Sequence, residues 1–406
     1  MDTLPENATL MASPDVWMEG DALEQLARVA RFPGCRKAVG MPDLHPGPGI
    51  PIGAAFAFDG IIRPYLVGGD AGCGVMVISL PKVKSSGDAL ERRINATFGD
   101  DPLEDADREA LVAAAWETGP AALAAANGVP GALAELAEQL SPEPAWLAGI
   151  ESAPLEFPGI YTRAMGTIGG GNHFLELSRI SSIVDKPFAK SVGLKSGGFA
   201  VVAHSGSRGL GRALIDRWGA EPLEDPTTQA RYLSEMAGAV RFARANRLVL
   251  CWKMLVAAGV ARASKVSGAF DVIHNTVIPW QDGGWLHRKG SAPADAEQPT
   301  IVLGSRGTES WVMAGCGEPG CLCSVAHGAG RRMGRTEAVE KLKTRYRRKN
   351  LVRTKLGGRV LCDDTSLLYA EHPDAYKAIE PVVAAIEDAG AARRVTALAP
   401  VVTIKR

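Results

Sequence analysis

The sequence predicts an α+β fold, and three observations carry that reading. Strand-like and helical runs come in separate blocks, without the βαβ alternation that builds a parallel sheet. Glycine is abundant, 46 of 406 residues or about 11% against a usual ~7%, and the excess sits in short polar turns rather than in a linker. Hydrophobic residues make up 46% and charged residues 22%, a globular balance with enough apolar surface for a large core.

The elements follow in order. Residues 21–31 (DALEQLARVAR) have the spacing of a short amphipathic helix. Residues 36–80 alternate Gly/Pro turns with apolar runs (PIGAAFAF, IIRPYLVGG, GVMVISL), which predicts strands joined by tight turns. Residues 87–150 are rich in Ala, Leu, Glu and Asp, a helical insert broken near Gly119-Pro120 and at 128–131. Strand-like runs return at 166–177 and 199–204. A long helix is predicted over about 228–265, carrying Arg241, Arg244 and Arg247. Strands are predicted at 270–279 and 300–304, a helix over about 331–350, and a last strand in VTALAPVVTIK, 395–405. There is no internal repeat and no convincing linker, so residues 1–406 are expected to form one compact domain with mixed sheets around a central cleft.

Composition narrows the function. Lys+Arg and Asp+Glu are 45 each, so a polyanionic partner would need a local patch rather than a global field. That patch exists: residues 331–359 hold 12 Lys or Arg against 2 Glu, net +10. A charge run is by default a solvated face, and phosphate neutralisation is the sharper reading. No apolar run reaches the ~18 residues of a membrane span, and the N-terminus lacks the basic start and apolar core of a signal peptide. Seven cysteines are expected to be reduced thiols in a cytoplasmic protein. Cys316, Cys321 and Cys323 lack a nearby fourth zinc ligand and read as ordinary thiols.

The candidate chemistry lies in Asp70, Cys73, His173, His204, His274 and His327, spread over more than 250 residues. Carboxylate, thiolate and imidazole are the side chains that hold Zn, Mn, Fe or Co. Asp70 and Cys73 lie in VGGDAGCGV, where the glycines let backbone approach an ion or phosphate; the bland alternative is a turn with a buried thiol. In GTIGGGNHFLEL, strand alternation would put His173 and Leu175 on one face and Asn172, Phe174 and Glu176 on the other. AHSGSRGLG places His204 at a strand end, with Ser205, Ser207 and Arg208 available to phosphate, and GSRGTES (304–310) is a second such loop. Neither fits a P-loop, which needs Gly-Lys-Ser/Thr leading into a helix. VIHNTV holds His274 and Asn275, for which a satisfied core histidine is the ordinary reading. AHGAGRRMGR puts His327 before three glycines and three arginines, a pattern that also suits a plain tight turn.

In this order and spacing the segments resemble the RtcB family of RNA ligases. The matching stretches are MPDLHPGPGIPIGAAF (41–56), GGDAGCGV (68–75), GTIGGGNHFLEL (166–177), HSGSRGLG (204–211), ANR (245–247), IHN (273–275), HRKGSAPA (287–294), GSRGTES (304–310), AHGAGRRMGR (326–335), AYK (375–377) and Lys405. The resemblance implies a GTP- and Mn(II)-dependent ligase. Such enzymes join RNA ending in a 2′,3′-cyclic phosphate or 3′-phosphate to a 5′-hydroxyl end, in some members with the activating partner archease. It further implies one Mn(II) on Asp70, Cys73 and His173 and a second on Cys73, His204 and His274. His327 would be the nucleophile that accepts GMP. Guanylate would lie among Asn172, His173, Phe174, Leu175, Glu176, His274, Asn275, Leu303, Gly304, Ser305, Arg306, Ser310, Gly328, Ala329, Gly330, Tyr376 and Lys405, with Asp43 and His45 at the same site. Arg306 stands where the family usually has Met. The alternative implied by the same residues is a metal-dependent phosphoesterase, or an enzyme that caps RNA or DNA 3′ ends with GMP.

Overall fold

The computed structural model describes residues 4–83, 87–156 and 158–406. Its centre is an eight-stranded sheet. In order the strands are Pro299–Val302, Ser310–Gly315, Ala392–Ile404, Phe174–Ile183, Phe199–Ser205, Gly74–Leu80 and Gly268–Ile273, with Arg359–Leu361 beside Ala392–Ile404. All pairs are antiparallel except the last, so the mixed α+β class predicted above is the one observed. A five-stranded sheet is built from Ala8–Leu10, Cys35–His45, Ile52–Phe58, Gly284–Lys289 and Asn275–Trp280. Ser291–Pro293 and Ser324–Ala326 form a two-stranded ribbon.

One face of the large sheet packs on the helix Pro226–Ala258, whose 33 residues are buried through most of their middle. Asp225 caps its start by accepting the Thr228 N–H at 2.8 Å. Gly259, at φ +74, ends it seven residues before the 228–265 reading expected, because the left-handed cap returns its N–H to Val256. The expected helical insert is present as five short helices between Gly87 and Ala148, which pack on this same core.

Other boundaries also differ from expectation. IIRPYLVGG is not a strand: Pro64 has no N–H for a ladder, and Pro64–Leu66 form a 3-10 turn. The helix expected over 331–350 runs only Arg335–Arg345, since the chain turns at Gly330 (φ +73) first. The run 270–279 is two strands broken at His274. Cys35–His45, an 11-residue strand with too mixed a pattern to stand out, lies between Ala8–Leu10 and Ile52–Phe58 in the smaller sheet.

Candidate active site

Strand register gathers the distant ligands. Phe174 and Val75 both pair with His204, and Gly74 also pairs with Ile273. The strands neighbour one another, so the residues at their common end come together: His173 just before one strand, His204 near the end of the next, Cys73 just before the third and His274 just after the fourth. Antiparallel order explains why ligands alternate between strand starts and strand ends.

The donor atoms converge. Cys73 Sγ lies 3.3 Å from His173 Nε2 and 3.4 Å from His204 Nε2. His204 Nε2 is 3.3 Å from His274 Nε2, and His173 Nε2 is 3.0 Å from Asp70 Oδ2. Two overlapping groups result, Asp70–Cys73–His173 and Cys73–His204–His274, each with its ligand atoms within 4.8 Å of one another. Without an ion this is a poor arrangement. Burial holds His204 and His274 well below the usual imidazole range, and the neighbouring imidazoles lower them further. Burial raises the Cys73 thiol well above its usual range, and the Asp70 charge adds to it. Nδ1 of His204 and Nδ1 of His274 have no hydrogen-bond partner among the described residues. Buried imidazole, thiolate and carboxylate donors crowded at these distances fit transition-metal ions, and Cys73 belongs to both groups. Cys316, Cys321 and Cys323 belong to no such group among the described residues.

The backbone is held around these ligands by two neighbours on the long helix. Arg247 is fully buried and makes a two-pronged ion pair with Asp271, both hydrogen bonds at 2.7 Å. Its Nη1 also donates to the carbonyls of Gly72 (2.8 Å) and Ser205 (2.9 Å), next to Cys73 and His204. Asn246 accepts the N–H groups of Gly166 and Thr167 and donates to the Ser205 hydroxyl, fixing the glycine-rich loop ahead of His173. Gly206 abuts Asp70 so closely that a Cβ there would lie 2.1 Å from Oδ1. Arg208, at φ +61, holds a strained backbone and brings Nη1 to 3.4 Å from His173 Nδ1.

These groups form one wall of a cavity of about 420 Å³, the size of a small-ligand site. His327 faces it from a separate element, its ring centroid 4.8 Å from that of His274. Its Nδ1 is 2.8 Å from Oδ2 of the fully buried Asp43. Asp43 is presented by an irregularity in the smaller sheet, where pairing jumps from Gly40–Ala54 to His45–Ile52 across Pro42. The Lys377 ammonium donates to the carbonyls on both sides of Asp43, Pro42 at 3.0 Å and Leu44 at 2.7 Å. The Lys377 N–H donates to Gly330, three residues past His327.

The far end of the cavity is ionic. Lys405 donates to the carbonyls of Gly171 and His173 at 2.9 and 3.1 Å and lies 3.4 Å from the Glu371 carboxylate. Glu371 also binds Arg331 (3.0 Å) and the Tyr376 hydroxyl. Burial would raise its acid; Lys405 and Arg331 outweigh that and hold it below the ordinary range. Glu176 accepts from Ser178 at 2.7 Å and Thr403 at 2.5 Å, and burial still pushes it up to about 7. Arg306 is buried and donates to the Leu368 carbonyl at 2.7 Å.

The cavity gathers Asn172, His173, Phe174, Glu176, His274, Asn275, Leu303, Gly304, Ser305, Arg306, His327, Gly328, Ala329, Gly330, Tyr376 and Lys405, along with His45. Leu175 is on the other face of its strand, in the core, and the Ser310 hydroxyl sits behind the wall, accepting the Gly304 N–H at 3.0 Å. The alternation expected at 172–176 begins only at Phe174, where the strand starts, so His173 and Phe174 both reach the cavity. Glu371 was not singled out from sequence, since nothing in EHPDAYK marks a lone glutamate as buried. Lys289 and Lys377 lay inside matched stretches without an assigned role.

A family model described as tRNA-splicing ligase RtcB matches residues 25–223 and 220–406. The chain is 37% identical to the RNA-splicing ligase RtcB2 of Escherichia coli, over 97% of this chain and 94% of that protein. It is 30% identical to the RNA-splicing ligase RtcB of Mycobacterium tuberculosis, covering 94% of this chain and all of the relative. It is 29% identical to the tRNA-splicing ligase RtcB of Thermococcus kodakarensis, over 93% of this chain and 89% of the other. With whole-length coverage and a gathered set of carboxylate, thiol and imidazole ligands, the chain belongs to the RtcB family of RNA ligases.

Proposed function

We propose that this protein joins RNA 3′-phosphate or 2′,3′-cyclic phosphate ends to 5′-hydroxyl ends, using GTP and two Mn(II) ions. The observation that carries the reading is the His327–Asp43 pair, which opens onto the cavity lined by both ligand groups. A phosphoesterase needs no guanylylated histidine, so that alternative is not favoured.

Asp43 accepts the Nδ1 proton of His327, which leaves the Nε2 lone pair free to attack. Nε2 forms a bond to the α-phosphorus of GTP, and the bond to the bridging oxygen breaks, releasing pyrophosphate. The RNA 3′-phosphate then takes GMP from His327, the 5′-hydroxyl attacks that activated end, and GMP leaves. A cyclic phosphate is opened by water beforehand. Asp70, Cys73 and His173 would hold one ion, and Cys73, His204 and His274 the other. When bound, the ions supply positive charge that neutralises phosphate oxygens and the leaving group.

Glu176, Arg306, Tyr376 and Lys405 are assigned to the guanylate, and the Arg331–Arg335 corner to the phosphates of the RNA ends. No helix among the described residues is long and apolar enough to cross a membrane. An archease-type activating partner and a cytoplasmic site of action belong to the same proposal.

The test is incubation with α-labelled GTP and Mn(II), followed by denaturing electrophoresis. Wild type should carry acid-labile, base-stable label, and His327→Ala should carry none while still binding metal. Label retained in His327→Ala removes the assigned nucleophile.

A further inference from the structure

The net +10 of residues 331–359 stands in a chain of zero formal charge, so the rest of the molecule sums to −10. Charge this segregated is more than solvation of a surface needs. The segment begins at the cavity, where Met333, Gly334 and Arg335 line the mouth. From there the helix Arg335–Arg345 runs outward for 11 residues, about 16 Å. Glu337 pairs with Lys341, and at the far end of the segment Arg359 pairs with Asp88 and Glu91. Lys343, Arg345, Arg347, Arg348, Lys349 and Arg353 are exposed and make no ion pair among the described residues.

What this ridge lacks is equally informative. Proteins that track unpaired strands offer aromatic faces for the bases to stack on. The ridge's one aromatic, Tyr346, is already used: its ring stacks on His372 at 4.3 Å and its hydroxyl donates to Asp374 at 2.7 Å. The remainder is a set of exposed point charges, which can meet phosphates but offers no face to a base. Base-paired RNA presents its phosphates outward on both strands and is recognised by shape and backbone.

We propose that the ridge of Lys343, Arg345, Arg347, Arg348, Lys349 and Arg353 binds the phosphate backbone of a base-paired RNA stem adjoining the break held in the cavity. This rests on the reading of the chain as an RNA ligase, and it adds a binding surface outside the reacting site.

The test uses the full chain and a variant with Lys343→Gln, Arg347→Gln, Arg348→Gln and Lys349→Gln. The probes are an RNA hairpin of about ten base pairs, broken in its loop with 3′-phosphate and 5′-hydroxyl ends, and the loop alone as unpaired oligonucleotides. Binding is measured as a function of salt. For the hairpin, the slope of log affinity against log salt should shrink by roughly 3–4, about 0.9 for each phosphate no longer neutralised. Binding of the unpaired loop should change little, and so should GMP labelling of His327. An equal weakening on hairpin and loop would replace the stem by a single strand and overturn the proposal. An unchanged hairpin slope would also overturn it, leaving the ridge as a face for an acidic protein or for solvent. Failure of wild-type labelling is a separate result, and it strikes the ligase reading rather than the ridge.

Discussion

Substituting Asp43 by Asn tests how the nucleophile is prepared. Asp43 Oδ2 takes the His327 Nδ1 proton at 2.8 Å, while Oδ1 is buried with no partner among the described residues. Oδ1 packs against Gly53, where a Cβ would lie 2.5 Å away. An asparagine therefore has two poor choices. With its oxygen towards His327 the tautomer is kept, but the charge is lost and the amide NH2 is buried without an acceptor. With its NH2 towards His327, Nδ1 must accept, the ring proton moves to Nε2, and the attacking lone pair disappears. The first choice costs the difference between a charge-assisted and a neutral hydrogen bond, about 1–2 kcal/mol, or roughly five- to thirty-fold in rate. The second resembles loss of the correct tautomer in a serine-protease triad, which costs about 10⁴ in kcat. The expected single-turnover rate of His327 guanylylation thus lies between about fivefold and 10⁴-fold below wild type. Metal content and GTP affinity should be unchanged, because Asp43 touches neither ligand group. Rapid-quench labelling at saturating GTP and Mn(II) measures the rate directly. A rate within about twofold of wild type would refute the idea that Asp43 holds the reactive tautomer.

Four further outcomes are expected. Cys73→Ala removes the atom shared by both ligand groups, so metal analysis should find both ions depleted; two fully retained ions would refute the bridging role. Lys405→Ala leaves Glu371 without one of its two closest cations and should weaken guanylylation through GTP affinity, seen as a raised half-saturating GTP concentration. Lys377→Met releases the carbonyls beside Asp43 and should slow guanylylation at saturating GTP by about tenfold with partial rescue by Lys377→Arg, whereas a purely structural role would lower thermal stability and leave the rate per folded molecule alone. Glu176 is raised from 4.5 to about 7, so its contribution to the apo fold is present at low pH and is lost as pH rises through that window. N–H donors of a bound guanine favour the carboxylate, so thermal stabilisation by GTP should grow from about pH 6 to about pH 8, and a flat response would mean that Glu176 does not meet the base.

Local pattern made part of this architecture legible. Continuous apolar runs such as GVMVISL and FAVVAHS are strands, and the terminal VTALAPVVTI is the end of the strand Ala392–Ile404 that carries Lys405 to the cavity. The order of Gly-rich motifs pointed to Asp70, Cys73 and the four histidines. What remained hidden depends on pairing across the chain. Nothing near Cys73 announces that Gly74 will lie between Ser205 and Ile273. The role of Glu371 comes from three cations or hydroxyls that reach it from residues 331, 376 and 405. Arg241, Arg244 and Arg247 illustrate the same limit. Sequence puts them on a helix, yet they face inward to Glu143, the Pro142 carbonyl and Asp271.

The arrangement separates two tasks that the reaction must couple. The proposed metal ligands hang from one end of the large sheet, fixed by strand register and by the Arg247–Asp271 pair. His327, the proposed nucleophile, hangs from the loop after Ser324–Ala326 and is steered from the smaller sheet through Asp43 and Lys377. The two supports adjoin through Leu303, next to the strand Pro299–Val302, which exchanges backbone hydrogen bonds with His327 and Ala329, and His327 and His274 face each other across the cavity. Perturbations in independently held groups add, and those in one network do not. Asp43→Asn combined with Lys377→Met should therefore be less than additive in guanylylation rate. Asp43→Asn combined with Arg247→Lys should be additive in free energy, because the second substitution acts on metal retention through a different support. Strong coupling in the second pair would mean that the two sheets move as one unit during the reaction.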